Sequence, residues 1–437
     1  MRKRGRRKQA LLFSTAALIL LSLLAWFFAV FRREIRIMPP EPVEKTAMRK
    51  SREENAYYVL ERVMGSDVPV PKPLLVQNPR VRKLKNPYVP KWDSMGRLLS
   101  IERPDDDPEL IQYVEAHDPQ IEMAREALAR PYYLLPEIGV SRDAYLPLYY
   151  PLSCLGRVLT ARAVLRAHTH AADAKAFAYL FDAVRLGHMV AGDGSAHGYW
   201  EGCDMQQLAL LYVDELVRCH PTDEMLEEVG GQLAALATGV RSPRANLEFM
   251  WRQLDNSRTT AALFDEDYVQ ETSLLEKALD SCAVRRLRRF LANHRDELLE
   301  VSEYDLLRFR ACRWSEDNEC SVRDDMEPWH PIRYLRYAVN HRSELEACFR
   351  GAQLVVALEQ HRRAYGAHPE SLDALSADLP EGCRMDPCRN APFVYRIEED
   401  DYVLYSVGEN GRDDSEKGEG VRVSWDIAIH EPAETQE

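Results

Sequence analysis

The chain has no Cys-x-x-Cys pair and no His-x-x-x-His pair, so the usual thiolate and imidazole spacings of a structural or catalytic zinc site are missing. It has no Gly-x-Ser-x-Gly stretch, which removes the strand-to-helix nucleophile elbow of serine hydrolases. No residue from Ala10 to Phe31 carries a charge, and no residue from Val68 to Trp92 is acidic. Net positive charge is missing from the body of the protein: residues 1–36 hold nine Arg or Lys against Glu34, leaving −21 of the overall −13 to the remainder. So acidic a body excludes nucleic acid as a principal partner, because phosphate binding needs a cationic face.

The uncharged run is 22 residues long, and at about 1.5 Å per residue it reaches roughly 33 Å, enough to cross a hydrocarbon core of roughly 30 Å. It is longer than the apolar core of a cleaved signal peptide and ends in Trp26, Phe27, Phe28 and Phe31 instead of a small-x-small site, so it reads as an uncleaved anchor. Six Lys or Arg precede it and three follow. The expected topology is a cytoplasmic head (1–9), one span (10–31), and everything beyond outside the cytoplasm of a bacterial inner membrane. The nine cysteines suit an oxidising compartment, where Cys312 with Cys320 and Cys383 with Cys388 could close small loops.

Beyond the span, Glu44–Met64 has the periodicity of a helix, with Ala56, Val59, Leu60 and Val63 on one stripe. Residues 32–105 therefore divide into this helix and a basic, Pro-rich linker with six prolines between Val68 and Trp92. From 106 to 343 the pattern is helical throughout. Leu155–His168 and Asp173–Val190, separated by a few residues, read as an antiparallel hairpin, and further helices are expected at Tyr199–Cys219, Thr222–Ala237, Asn246–Phe264, Thr272–Asn293 and Pro331–Arg342. The small residues Ala161, Ala163, Ala174, Ala176 and Ala183 allow close helix approach, and Leu152–Leu236 resembles a tetratricopeptide-type array without its clean 34-residue period. The expected fold class is mainly α: a helical solenoid-like or bundle domain, followed over 344–437 by a small α+β module with an acidic tail.

In that module Leu345, Cys348, Phe349, Ala352, Val355 and Val356 form one helical stripe, after which Gly366 and Pro369 break the period. Phe393–Ile397, Tyr402–Val407 and Val421–Ile429 then alternate as strands. "ALEQHRRAYGAHPESLDAL", "DPCRNAPFVYR" and "DYVLYSVGENGRDD", in that order, resemble the C-terminal half of the major pseudopilin of type II secretion systems. The matching places are Gly366, Pro369, Leu372, Asp386, Pro387, Asn390, Pro392, Tyr395, Tyr405, Ser406, Gly408 and Gly411, over about residues 350–429. The resemblance implies a pilin-like fold and a calcium ion in the loop after Tyr-Ser-x-Gly, here Asn410, Asp413, Asp414 and Asp426, with Asn410 where an Asp is usual. It does not imply polymerisation. The family's peptidase site ahead of the apolar helix is missing, and some three hundred residues separate the span from the module.

No catalytic set converges in the sequence. Ser195 and His197 in "GDGSAHGYWEG" read as a turn or cap, and His168 and His170 as helix-end or surface residues. "RRLRRF" (Arg285–Phe290) reads as a solvated helical face, and the tyrosines of "RPYYLLPEIGVSRDAYLPLYYP" as packing across helix ends. Together these features point to a membrane-anchored extracytoplasmic interaction or scaffold protein with protein partners. The alternative is a hydrolase of envelope polymers with its site in the helical domain.

Overall fold

The computed structural model describes residues 43–64, 108–135, 146–170, 172–192, 196–256, 274–312, 331–375, 379–389, 391–408, 410–413 and 427–430. The expected span and the Pro-rich linker lie outside these residues. Among the described residues no helix is long and apolar enough to cross a membrane.

The described chain is mainly helical with small antiparallel sheets. Two short helices, α1 (Val43–Lys50) and α2 (Tyr57–Met64), replace the single helix expected over Glu44–Met64. Asn55 makes the break. Its amide Nδ2 donates to Arg49 O and Leu134 O, and its Oδ1 accepts from the Tyr57 and Leu134 N–H groups, so one buried side chain caps α2 and joins it to residues 79 positions away. An Asn that satisfies backbone groups outside the helix competes with helical hydrogen bonding, and here it wins.

Then follow α3 (Pro108–Ala116), α4 (Asp118–Leu128), α5 (Leu146–His170), α6 (Ala174–Val190) and α7 (Ala196–Leu211). The hairpin of α5 and α6 forms as expected, with Asp173 capping α6 by accepting from Ala176 N–H at 2.9 Å. Helix α5 starts earlier than Leu155 and runs through Pro151. Its buried Leu152, Leu155 and Leu159 hold the first turns in place although Pro151 brings no N–H donor. Helices α6 and α7 cross at two glycines. A Cβ on Gly187 would stand 2.6 Å from Gly202 O, so only glycine lets the two backbones come this close.

The expected helix Tyr199–Cys219 is interrupted at Tyr212, after which α8 (Val213–Arg218) begins. Helix α9 (Asp223–Ala237) starts at the Thr222 cap, where the hydroxyl accepts from Met225 N–H. Next come α10 (Arg244–Asn256), α11 (Leu274–Val301) and α12 (Leu306–Arg310).

The last helix, α13 (Pro331–Tyr365), is a single element of 35 residues. The position expected to separate helical domain from α+β module, 343/344, falls inside it. Its first part packs against α7, and farther along it meets α9 and the sheet. After it come the two-residue strands β1 (Met385–Asp386) and β2 (Ala391–Pro392), then β3 (Val394–Glu398), β4 (Asp401–Ser406) and β5 (Ile427–His430). The sheet order is β3-β4-β5, antiparallel throughout, with Val394 opposite Tyr405 and Ser406 opposite Ile427. Gly351 admits β5 onto α13, since a Cβ there would lie 2.7 Å from the Ile429 side chain.

One continuous core results, running from Leu60 and Leu135 through Phe177, Phe181 and Trp251 to Phe349, Leu404 and Ile429. Among the described residues the module shares this core.

Candidate functional site

The C-terminal loop was the sequence's candidate. Asp413 accepts a hydrogen bond from the Tyr405 hydroxyl at 2.8 Å, and Asn410 Oδ1 accepts from the Arg412 N–H at 2.8 Å. Asp414 and Asp426 lie outside the described residues. Among the described residues no group of three or more His, Cys, Asp or Glu comes together as metal ligands. The two described members do have oxygen donors at the start of the loop, as a hard cation requires.

The carboxylate that organises this region is Asp386. It is buried. Its Oδ1 accepts from Cys388 N–H and from the Ser406 hydroxyl, each at 2.8 Å, and its Oδ2 accepts from Val407 N–H at 3.0 Å. The Asp-Pro turn is thereby locked to the Tyr-Ser-Val-Gly end of β4. Cys383 and Cys388 do not form the expected bridge. The Cys383 thiol points instead at Gln353 Oε1 and Arg350 O on α13, and burial lifts it to about 11.

Another group of polar side chains lies in the helical region, at the seam of α5, α7 and α13. Glu201 and Asp204 stand three residues apart on α7, so they share one side of the helix. Arg157 of α5 lies within electrostatic reach of both, and His341 of α13 approaches Asp204 at 3.5 Å and Glu344 at 3.8 Å. Burial raises both α7 carboxyls to about 7, the charge of Asp204 adding to the effect on Glu201, while Ser153 and Arg157 oppose it. Burial likewise pulls the Arg157 guanidinium below its ordinary value.

Asp204 is densely enclosed by protein, yet a quarter of its side chain (25%) still meets solvent. Glu201 and Arg157 are half-buried in the same way. Nearby, Trp200 packs against Tyr334 (6.0 Å between ring centroids), Tyr337 (6.3 Å, edge-on) and His341 (6.5 Å), and Tyr337 is 50% exposed.

Chemically the seam offers two carboxyls able to donate or accept a proton near neutrality, with a guanidinium and aromatic side chains near them. Burial pushes the nearby Cys203 and Cys348 thiols above their ordinary value, which favours their protonated form. A sequence signal did exist. Glu201 and Asp204 sit in a helix whose other positions are mostly apolar, small or amide, so no solvent stripe was available to take them.

A second buried cluster joins module to helices. His430 Nδ1 lies 2.6 Å from Asp214 Oδ1, and Nε2 lies 2.8 Å from Asp401 Oδ1. The ring stacks on Tyr402 at 3.8 Å, and Arg218 reaches Asp214 at 3.3 Å. Every group here has an opposite or hydrogen-bonding neighbour, which marks a structural clasp.

Of the other sequence candidates, His168 is paired: its Nε2 lies 2.8 Å from Glu215, and Cys219 with Glu215 pushes it up to about 10. His170 Nδ1 lies 2.6 Å from the Thr169 hydroxyl at the end of α5. Ser195 and the His197 side chain lie outside what is described, as does the first half of the Arg285–Phe290 stretch, whose Phe290 packs toward the core. Compared with protein-family models, with characterised proteins and with solved structures, the chain matches none.

Proposed function

We propose that the chain is a membrane-anchored extracytoplasmic interaction or scaffold protein of the bacterial cell envelope, linked to secretion. A single span at Ala10–Phe31 holds it in the inner membrane, with residues 1–9 in the cytoplasm. The observation that carries this reading is the fusion of the C-terminal module to the helices. The module is built on the second half of α13, shares the helical core and is clasped to α8 through His430 and Asp214. A module fixed in this way presents a constant surface, as a scaffold needs. A pilin subunit, by contrast, assembles through a helix running directly from the membrane into its head. Calcium at Asn410, Asp413, Asp414 and Asp426 belongs to the same proposal, as a tie between the acidic loop and the last strand.

The test is topological. A reporter active only outside the cytoplasm, fused after Glu437, is expected to be active, with the protein released from membranes only by detergent. A silent reporter, or a mature chain beginning near residue 30, overturns the reading.

One observation favours a second reading, a hydrolase acting on envelope polymers. Glu201 and Asp204 provide two neighbouring carboxyls on α7 that burial raises to about 7, the pattern of a general acid and base.

A further inference from the structure

We infer that Cys219, held beside His168 and Glu215, is a reactive thiol at which the chain forms a mixed disulfide with a low-molecular-weight disulfide. This chemistry requires neither the membrane span nor the hydrolase reading.

The backbone brings the three side chains together where α5 and α8 end. Glu215 and Cys219 are four residues apart. Cys219 keeps the last helical turn of α8, its N–H donating to Leu216 O at 3.1 Å, so the two side chains share one side of the helix. Cys219 O accepts from Ala172 N–H at 3.4 Å, which ties the residue to the chain just beyond His168 and the end of α5. His168 Nε2 then lies 2.8 Å from Glu215 Oε1, and the imidazole also hydrogen-bonds the Cys219 side chain.

A carboxylate that orients an imidazole, and an imidazole that meets a thiol, are the parts of an activated sulfur nucleophile. Cys219 first and Glu215 second hold the His168 ring in its charged form against burial, pushing it up to about 10. A charged ring beside sulfur stabilises the thiolate, which is the form that attacks.

Access separates Cys219 from most of the described cysteines. Cys203, Cys348, Cys383 and Cys388 are buried, and burial pushes their thiols up. Cys219 is partly exposed, and so are its two partners, the His168 side chain at 22% and that of Glu215 at 24%. Cys312 is partly exposed as well and serves as the reference.

The step balances without a further reactant. Cys219 gives its Sγ proton to solvent, and the thiolate attacks one sulfur of the disulfide. The old S–S bond breaks as the new one forms, and the departing thiolate takes up a proton. Cys219 is oxidised to the mixed disulfide while the released half of the reagent is reduced to a thiol.

The experiment uses the reduced full-length chain in a neutral detergent near pH 7. Hydroxyethyl disulfide probes the exchange, iodoacetamide reports the rate of alkylation, and each cysteine is followed by peptide mass. Hydroxyethyl disulfide should add to Cys219, and iodoacetamide should label Cys219 about tenfold faster than Cys312 or more, the effect expected of thiolate stabilisation by a neighbouring cation. His168→Gln should slow Cys219 by about tenfold and leave Cys312 unchanged. A merely structural role for His168 predicts the opposite, since a loosened fold exposes both thiols and speeds both. Labelling of Cys219 no faster than Cys312 in the unmodified protein, absence of the hydroxyethyl adduct at Cys219, or a Cys219 rate that His168→Gln does not lower overturns the assignment.

Discussion

His430 Nδ1 lies 2.6 Å from Asp214 Oδ1, and 216 residues separate the two. Both side chains are 4% exposed, and the other ring nitrogen of His430 meets Asp401 at 2.8 Å. One imidazole on the last described strand thus joins β4, β5 and the short helix α8. Replacing His430 by Ala takes a hydrogen-bonding partner from the buried Asp214. The expected loss is about 3 kcal/mol of stability, read as a lower denaturant midpoint, with His430→Ala and Asp214→Asn far from additive when combined. Additive losses would show that the pair is not coupled.

Asp386 is the second structural carboxylate to test. It accepts three hydrogen bonds from Cys388, Ser406 and Val407. In Asp386→Ala the two N–H groups and the hydroxyl lose their acceptor, and about 2–4 kcal/mol should be lost. Hydrogen exchange at Val407 and Cys388 should accelerate together. Exchange unchanged at these amides would refute the role.

The Asp204 carboxyl titrates near 7 in the fold, against an ordinary value of 3.8. Between those values the folded chain holds a proton that the unfolded chain has released. This contribution to stability is therefore fully present below the ordinary value and is lost as pH rises through about 7. Asp204→Asn should accordingly raise the melting temperature at pH 8, by the equivalent of about 2 kcal/mol, and the gain should shrink toward pH 5. A gain that is the same at both values would mean that the charge is not the cause.

Two histidines should give opposite pH signatures. Burial and Arg241 hold His188 down at about 4 against an ordinary 6.5, so the unfolded chain takes up a proton first and stability falls as pH drops from about 6.5 to about 4. His168 is raised to about 10, so its contribution is complete below about 6.5 and is lost as pH rises through about 10. His168→Gln should cost roughly 1 kcal/mol at pH 7, a figure reduced for solvent screening of a partly exposed pair, and nothing above pH 10. His188→Gln should flatten the acid limb of the stability curve.

Calcium is tested on the whole protein. In excess over its dissociation constant by about a hundredfold, it should stabilise by roughly 2.7 kcal/mol. Asp413→Ala combined with Asp414→Ala should abolish the difference between calcium and chelator. Identical melting of the unmodified protein in both would leave the loop without an ion.

Much of the fold was legible along the chain because its causes are local. The stripe from Leu345 to Val356, the Asp173 and Thr222 caps, and the alternation in Tyr402–Val407 each follow from spacing within a dozen residues. The errors fell where a distant residue decided the outcome. Asn55 broke one expected helix by bonding Leu134. The helix expected to end at Arg342 and the one expected to follow it are a single element, α13, whose two halves both find apolar partners, first α7 and then α9 and the sheet.

The sequence by itself determined the periodicities, the caps and turns, and the basic head with its uncharged run, since each depends only on neighbours in the chain. Which charged residues meet was decided by tertiary structure alone. Asp204 meets His341 and feels the charge of Arg157, which come from helices more than a hundred residues apart, and His430 lies against Asp214, 216 residues away. Coulombic and hydrogen-bonding partners are chosen by distance in space, and in this protein packing around close approaches such as those at Gly187 and Gly351 sets that distance.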